Sequence, residues 1–250
     1  MGTSSGVSEV LVVGAGLSGL VAATTLHAAG RRVAVWEARD RIGGRCWSPA
    51  VGPDAVSVDL GAAWHWTQHE RVRALARRLG LGRVRQHEPG VAVQEWSKDA
   101  PVEHFKWPDS PPPSWRLAAG TQALHERLAA TLPDAALCLR HRLQALRRVG
   151  EGVQASAQTP DGPRTAAFDA AVLAVPPRLA AHTLQFEPAL PDALAAALRT
   201  TTTWMSPSAK AAVTYDRPFW REHGLAGRVR SAVGPVHDWH DAVGPDGAAA

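Results

Sequence analysis

The beginning of the chain places two short apolar runs on either side of a longer helix-forming segment. The run Glu9–Val13 is mostly apolar and ends at a glycine, which predicts a buried parallel strand. Residues 17–29 predict a helix closed by Gly30, and Arg32–Trp36 predict the next strand. A strand, a helix and a strand within about 30 residues predict a βαβ unit, and hence an α/β fold with a parallel sheet.

The remaining pattern predicts short strands and helices, without an internal repeat. Apolar and polar residues alternate over 91–105, as in antiparallel strands. Three strand-like runs separated by glycine turns predict a β-meander, at residues 143–149, 153–158 and 164–168. The other predicted elements are helices at 71–79, 122–132 and 192–199, a buried strand at 170–175 and an apolar strand at 209–215.

The composition predicts a globular protein of one or two domains. The chain has 250 residues, 45% of them apolar and 20% charged, which argues against disordered and fibrous classes. No apolar run approaches the ~18 residues of a membrane helix, and the N-terminus lacks the pattern of a signal peptide. Two cysteines, Cys46 and Cys138, are too few for a disulfide framework and suit a reducing compartment. We therefore expect a cytoplasmic protein with no membrane association.

The charge pattern does not indicate a nucleic-acid partner. The net charge is +4, but the basic residues are spread along the chain and form no patch. Nearly all of them are arginines, since only three lysines occur, at positions 98, 106 and 210. A lysine within an ordered segment is therefore notable in this chain.

The end of the chain offers the only spacing that resembles a metal site. His237 and His240 lie close to Asp238 and Asp241, but no third, distant ligand is evident, and we predict no metal. The sequence after Gly234 suggests a loop with no closing helix or strand, so the chain is expected to stop in the middle of its pattern.

A glycine motif follows the first predicted strand. Gly14 permits a tight turn, Gly16 allows the backbone to approach a pyrophosphate, and Gly19 allows close packing of helix and strand. Ser18 lies in the same turn, at the helix N-terminus that favours phosphates. Glu37 ends the second strand at the spacing of a carboxylate that holds ribose hydroxyls, and disfavours NADP. The motif predicts dinucleotide binding; a purely structural turn is the alternative.

A second glycine turn lies close to this carboxylate. Gly43 and Gly44 are followed by Arg45, whose planar guanidinium suits a bidentate contact with phosphate. These residues would reach the same pyrophosphate as the first motif. An ordinary surface turn with solvated arginines is the alternative.

The two motifs together resemble the flavin-containing amine oxidases and their relatives, the carotenoid desaturases and protoporphyrinogen oxidases. The resemblance begins with GxGxxG followed by ExxxRIGGR and covers about residues 8 to 232. Four further segments match in order, namely DLGAAW at 59–64, RLAAGTQAL at 116–124, VLAVPP at 172–177 and VTYDRPFW at 213–220.

The resemblance implies FAD as the cofactor and assigns further site residues. Gly61, Ala62 and Trp64 correspond to the segment beside the flavin, and Leu143 falls where the family contacts the adenine through its backbone. Lys210 matches a lysine that holds a water against flavin N5 in amine oxidases and is not expected in desaturases. A lysine whose charged end reaches solvent from a strand edge is the alternative.

The family's fold and reaction follow as expectations. We expect a Rossmann-like FAD-binding domain with a parallel sheet and β-meander at 1–88 and 119–186, and an inserted, incomplete α+β substrate domain at 89–118 and 187–250. The implied reaction transfers a hydride from an amine to flavin N5, hydrolyses the imine and passes electrons to oxygen, giving hydrogen peroxide. The partners are then an amine and oxygen, and a homodimer is the assembly considered.

The chain also departs from the family. Family members are longer, and their last part returns a glycine-rich motif to the flavin and supplies aromatic residues around the amine; nothing after Gly234 resembles either. We therefore interpret the chain as the N-terminal part of an amine oxidase. A desaturase-like flavin enzyme and a non-catalytic nucleotide-binding module remain as alternatives.

Overall fold

The structure, a computed structural model, describes residues 9–53, 55–106, 112–244 and 247. The chain divides into two compact units. The first unit contains the residues up to Arg45 together with Leu124–Ala209, and the second contains Cys46–Ala123 and the residues from Lys210 onward.

The described residues form mostly short strands and six helices. The strands are β1 (Glu9–Val13), β2 (Arg32–Trp36), β3 (Ala50–Val51), β4 (Val56–Ser57), β5 (His65–Trp66), β6 (Arg83–Arg85), β7 (Val91–Glu95), β8 (Glu103–Lys106), β9 (Ser114–Leu117), β10 (Leu137–Cys138), β11 (Arg142–Val149), β12 (Gly152–Thr159), β13 (Gly162–Phe168), β14 (Ala170–Leu173), β15 (Gln185–Glu187), β16 (Leu225–Ser231) and β17 (Asp238–His240). The helices are α1 (Leu17–Ala28), α2 (Glu70–Arg78), α3 (Gln122–Ala129), α4 (Pro177–Thr183), α5 (Asp192–Thr200) and α6 (Phe219–Glu222).

The first unit contains a parallel sheet with strand order β10-β2-β1-β14. The central strand β1 is apolar because it is covered on both faces, and Leu11 and Val12 are fully buried. Helix α1 connects β1 to β2 and buries Leu20 and Ala23. The predicted βαβ unit is confirmed.

The predicted β-meander is also confirmed in the first unit. Strands β11, β12 and β13 pair in antiparallel order, and β15 adds to β11 in parallel. Trp36 from the parallel sheet and Phe168 from the meander meet edge to face, with 5.5 Å between their ring centroids. The two sheets therefore share one apolar core, which also contains Leu143.

The second unit is built from smaller sheets. Strands β17-β16-β7-β8 form one sheet, in which β7 and β8 are the antiparallel pair predicted over 91–105. Strands β5-β9-β6 form another, and β3 and β4 pair as a two-stranded ribbon. None of the described helices is long and apolar enough to cross a membrane.

Three expectations about secondary structure were wrong. Residues 209–214 form no strand, because their backbone joins no sheet in the described part of the chain, although Lys210 makes side-chain contacts. The strand predicted as buried at 170–175 is β14 at the edge of its sheet, where Val172 and Leu173 are more than a third exposed. Beyond Gly234 the chain is not only a loop, since β17 pairs with β16.

The boundaries of the two compact units differ from those of the predicted FAD-binding and substrate domains. The units change at residues 45/46, 123/124 and 209/210, whereas the predicted domains change at 88/89, 118/119 and 186/187. The compact units are defined by contacts within the chain, whereas the predicted domains are defined by what they would bind. The units therefore do not test the predicted domains. The FAD-binding domain (1–88 and 119–186) and the substrate domain (89–118 and 187–250) stay predictions.

Candidate functional site

Two glycines at the turn between β1 and α1 leave no space for a side chain. Gly14 has φ +101°, and a Cβ there would lie 3.0 Å from the carbonyl oxygen of Ala174. A Cβ at Gly19 would collide with the carbonyl oxygen of Gly14. Glycine is therefore required at both positions, for conformation at the first and for packing at the second.

The second glycine turn packs directly on the first. The N–H of Gly43 donates to the carbonyl oxygen of Ala15 at 2.9 Å. A Cβ at Gly44, where φ is +56°, would lie 3.3 Å from the Cα of Gly16. We call residues 14–19 and 43–44 together the glycine cradle, because two segments distant in sequence form one surface made of backbone.

Glu37 holds the glycine cradle from inside. Its side chain is buried; one carboxylate oxygen accepts the N–H of Ala15 at 2.7 Å and the other accepts the N–H of Arg39 at 2.9 Å. Each oxygen retains a further lone pair for a ligand hydroxyl. Contact with a ribose stays a prediction, and the sequence did not indicate that the same carboxylate also braces the protein.

Two arginines that the sequence analysis did not single out support the second turn. Arg39 Nη1 and Arg41 Nη2 donate to the carbonyl oxygen of Gly44 at 3.0 and 3.1 Å. The signal available in the sequence was the clustering of arginines around the glycine pair. The spacing alone did not show which of them would face the ligand and which the backbone.

The N-terminus of α1 lies in the cradle and has the properties of an anion site. Gly16 is the N-cap, no side chain caps the helix, and its first turn has no acidic residue. The first backbone N–H groups of the helix and its dipole therefore favour a negative charge, and Ser18 is exposed beside them. The glycine cradle thus fits the pyrophosphate of a dinucleotide.

Arg45 and Leu143 have different surroundings from the rest of this set. Arg45 is exposed, and no hydrogen bond or ion pair joins it to another described residue. Leu143 is buried in the apolar core, next to an irregularity in the pairing of β11 with β12. The phosphate contact of Arg45 and the backbone contact of Leu143 with adenine stay predictions.

The second unit brings Gly61, Trp64 and Lys210 together, and we call these three residues the lysine cluster. Lys210 Nζ donates to the carbonyl oxygen of Gly61 at 2.6 Å and lies 4.7 Å from the centroid of the Trp64 ring. Lys210 as a whole is exposed to solvent, but its ammonium is partly covered because it lies against the face of the Trp64 indole. This burial lowers the pKa of Lys210, while the nearby carboxylate of Asp59 acts in the opposite direction.

The segment that carries Gly61 and Ala62 is fixed by a polar network. One carboxylate oxygen of Asp59 accepts the N–H of Thr121 at 2.8 Å and the hydroxyl of Ser48 at 2.5 Å. The hydroxyl of Thr121 is within donating distance of two acceptors, the same Asp59 oxygen and the carbonyl oxygen of Ala62, each at 2.9 Å. The matching segments at 59–64 and 116–124 contain Asp59, Ala62 and Thr121 but not Ser48, and only the fold shows that they meet.

Gln86 is a further buried residue that the sequence did not indicate. Its amide oxygen accepts the indole N–H of Trp64 at 2.7 Å and Arg116 Nε at 3.1 Å. It also helps to line a cavity of about 240 Å³ within the second unit. The remaining walls of that cavity come from Trp64, Trp66, His87, Glu88, Ser114, Ala226, Gly227, Arg228, His240 and Asp241.

Asp241 and His240, near the end of the chain, are held by neighbouring side chains. Asp241 is buried and accepts bonds from Trp220 Nε1 at 2.8 Å and from two nitrogens of Arg221 at 2.7 Å each. These hydrogen bonds lower the pKa of Asp241 despite its burial. His240 packs edge to face on Trp64 at 4.9 Å, and burial lowers the pKa of its imidazole. Within the described ranges, no three His, Cys, Asp or Glu side chains are grouped as metal ligands would be.

Comparison with known sequences identifies relatives of both units. The chain matches the family described as flavin containing amine oxidoreductase over residues 17–119 and 111–247. A segment of 85 residues is 47% identical to putrescine oxidase from Kocuria rosea and covers 34% of this chain and 17% of that protein. A segment of 80 residues is 41% identical to flavin-containing amine oxidase B from Homo sapiens, over 32% of this chain and 15% of that protein. The aligned segments thus span less than a fifth of these relatives.

Comparison with solved structures supports the same fold. A wild-type putrescine oxidase bound to putrescine superposes with a TM-score of 0.75 at 21% identity, over 97% of this chain and 74% of that one. Cyclohexylamine oxidase from Brevibacterium oxydans IH-35A gives a TM-score of 0.76 at 19% identity, over 98% and 74%. The predicted fold class, the family resemblance and the FAD cofactor are confirmed.

Proposed function

This chain belongs to the flavin-containing amine oxidoreductase family, and we propose that it serves the FAD-dependent oxidation of an amine. When bound, the flavin would supply the redox chemistry, namely removal of a hydride from the carbon next to the amine nitrogen and transfer of the electrons to oxygen, giving hydrogen peroxide. The imine formed from the amine is hydrolysed by water. The residues of this chain bind, orient and shield the reacting groups.

We propose that the glycine cradle binds the pyrophosphate of FAD. The backbone N–H groups at Gly16, Ser18 and Gly19 would face the phosphates, and Glu37 would bind the ribose hydroxyls with its remaining lone pairs. Gly43 and Gly44 would let the second turn approach, Arg45 would pair with a phosphate oxygen, and the backbone at Leu143 would contact the adenine. The close packing of the two turns supports this assignment.

We propose that the lysine cluster serves the flavin end of the cofactor. Gly61, Ala62 and Trp64 would lie beside the ring system, and Lys210 would hold a water next to its N5 atom. The observation that carries the proposal is the position of Lys210, whose ammonium is bound to the Gly61 carbonyl and covered by the Trp64 ring. A lysine that merely reaches for solvent would not be held in this way.

The proposal is tested by cofactor uptake and by reduction with amines. The purified protein should take up FAD with a visible flavin absorbance, and an amine added without oxygen should bleach that absorbance. Putrescine and cyclohexylamine, which the names of two relatives indicate, are the first amines to test. Protein that takes up no FAD would contradict the proposal and favour a non-catalytic module.

A matched pair of variants tests the role of Lys210. Lys210→Met should lower turnover about a hundredfold, because the water that Lys210 would hold loses its position and a misplaced reacting group costs about 10² in rate. Lys106→Met removes an exposed lysine from the end of β8 and should leave turnover within about twofold of the wild type. Equal rates in the two variants would remove Lys210 from the mechanism.

We further propose a cytoplasmic location and oxygen as the electron acceptor. The low cysteine content, with only Cys46 and Cys138 in the chain, supports a reducing compartment. Fractionation of the source cells and peroxide formation during turnover test these two points. A homodimer stays a prediction that sedimentation can test. That the chain is part of a longer enzyme also stays a prediction, tested by reading the coding region past its last codon.

A further inference from the structure

The indole of Trp64 is fixed at its edge by a buried amide. Gln86 is 8% exposed, and both ends of its amide are bonded. The oxygen accepts Trp64 Nε1 at 2.7 Å and Arg116 Nε at 3.1 Å, and the nitrogen donates to the carbonyl oxygen of Asp241 at 2.7 Å. Turning the amide over would place two donors against its nitrogen and a carbonyl against its oxygen, so only one orientation is satisfied.

The support beneath Gln86 is also fixed. The guanidinium of Arg116 donates to the carbonyl oxygens of Ala242 and Val243 at 3.1 and 2.7 Å. Asp241 precedes these two residues and is itself buried and paired with Arg221. Gln86 therefore rests on a network that ties β9 and the segment after β17 together, and a surface glutamine would have no such restraint.

The face of the Trp64 ring carries the lysine. Lys210 Nζ lies 4.7 Å from the ring centroid, within the range of a cation–π interaction, and is bonded to Gly61. The ring of His240 packs edge to face on the same indole at 4.9 Å. Trp64 is thus held at its N–H by Gln86 and presents its face to the ammonium.

We propose that Gln86 is a positioning residue for Lys210: by binding the indole N–H of Trp64, it keeps the ring face against the lysine ammonium. Its effect on turnover rests on the proposed function, whereas its effect on the lysine itself does not. With the amide removed, the indole loses its orientation and water reaches the ammonium. Hydration of the ammonium raises its pKa, whereas loss of the cation–π contact lowers it; because burial is the largest cause of the lowered pKa, we expect the net change to be upward.

Lysine reactivity provides a readout that needs neither cofactor nor turnover. Only three lysines occur, so trace acetylation followed by peptide mass spectrometry can measure Lys210 against Lys98 and Lys106 in the same sample. In the wild type, burial lowers the pKa of Lys210. Gln86→Met, which keeps the size but removes both bonding ends, should move the midpoint of Lys210 labelling to higher pH relative to the two reference lysines.

Three further variants separate positioning from a general structural effect. Gln68→Met makes the same chemical change at an exposed position of the second unit and should leave the midpoint unchanged. Gln86→Glu retains an oxygen that can accept the Trp64 N–H, but its added negative charge itself raises the pKa of a nearby lysine, so its rescue is measured by kcat and not by the midpoint. Trp64→Phe keeps a ring but removes its N–H. It should raise the midpoint of Lys210 labelling, although the Gln86 amide remains bonded to Arg116 and Asp241.

Kinetics on the FAD-loaded protein provide the second readout. Gln86→Met should lower kcat about tenfold with KM within about twofold, because a group displaced by a fraction of an ångström loses rate more than ground-state binding. Gln86→Glu should recover most of kcat. A loss confined to KM would overturn the positioning role.

The outcomes separate this inference from the proposed function. A folded Gln86→Met variant with an unchanged Lys210 midpoint overturns the inference, whatever its activity. If Gln86→Met does not fold, Trp64→Phe decides: a raised midpoint supports the inference and an unchanged one overturns it. If no amine reduces the flavin of the wild type but the midpoint shifts as expected, the proposed function fails and the positioning by Gln86 stands.

Discussion

The glycine cradle of the first unit is built from backbone, whereas the lysine cluster of the second unit is built from side chains. In the cradle, Gly19 and Gly44 matter because they lack a side chain, and the groups that we propose to bind phosphate are N–H groups at a helix start. In the cluster, the ammonium of Lys210 lies against the ring of Trp64, whose N–H is bonded to Gln86. A site made of backbone is encoded in short motifs, and a site made of side chains depends on residues far apart in the chain.

The largest expected effect is in the cradle. Gly19→Ala should destabilise the first unit by more than about 3 kcal/mol, because the added methyl group meets the Gly14 carbonyl oxygen and neither backbone can move freely. Gly82→Ala is the matched control, since a Cβ there has only an ordinary contact with Ala118 at 3.7 Å. Urea unfolding of both variants measures the difference. Equal stability would mean that the cradle tolerates a side chain.

The next effect lies in the network beneath the lysine cluster. Asp241→Asn should cost about 2 kcal/mol, because Arg221 and Trp220 lose a buried carboxylate. The exposed pair between Arg230 of β16 and Asp238 of β17 provides the control, and Asp238→Asn should cost less than about 0.5 kcal/mol. A similar cost for the two variants would show that burial does not strengthen the network.

The carboxylate of Asp241 should make the stability of the second unit decrease at acidic pH. The pKa of Asp241 is lower in the folded protein than in the unfolded chain, so its contribution is present above a pH of about 4 and is lost as the pH falls below that value. In Asp241→Asn the loss of stability with acid should be less steep. Unfolding midpoints measured across this range test the sign.

A smaller effect involves His240. Burial lowers the pKa of this imidazole, and Arg228 and Lys210 act in the same direction, so folding favours the neutral ring. Its contribution is therefore present above a pH of about 6.5 and decreases as the pH falls below that value. His240→Phe keeps the aromatic contact with Trp64 and should reduce this slope by less than the Asp241 variant reduces the acid slope. An unchanged slope would assign the pH dependence to His65 and His87, whose pKa values are also lowered by burial.

The smallest effect is expected from Arg39 and Arg41, which donate to the glycine cradle at the Gly44 carbonyl oxygen. Arg39→Ala should cost less than about 0.5 kcal/mol, because Arg41 still donates to the Gly44 carbonyl oxygen. The double variant should lose more than the sum of the single ones, since only then is that oxygen left without a guanidinium. Thermal unfolding of the three variants checks this, and strict additivity would mean that the two arginines act separately.

The sequence predicted the first unit better than the second for a physical reason. The βαβ unit and the meander follow from apolar runs separated by glycine, and the pairing of these elements confirmed both. In the second unit, the strand predicted at 209–215 was wrong because apolar character alone does not supply a pairing partner. Short strands such as β5 and β6 carry too few residues for a pattern to show.

The candidate site shows the same division. The glycine positions follow from motif spacing, and their tight contacts are of the kind the motif requires. The matched segments indicated Trp64 and Lys210, but nothing in the sequence indicated that Gln86, Arg116 and Asp241 support them. These contacts join positions 22 to 155 residues apart, and local patterns carry no information about such pairings.

The bond from Gly43 to Ala15 makes two motifs 28 residues apart behave as one rigid part. Engineering of cofactor preference that exchanges only the first glycine turn would leave Gly43 and Gly44 packed against a turn of different shape. Exchange of residues 14–19, Glu37 and residues 41–44 together would transfer both turns with the contacts that join them. If the cradle binds the cofactor as we propose, the preference for that cofactor is encoded in these segments together rather than position by position.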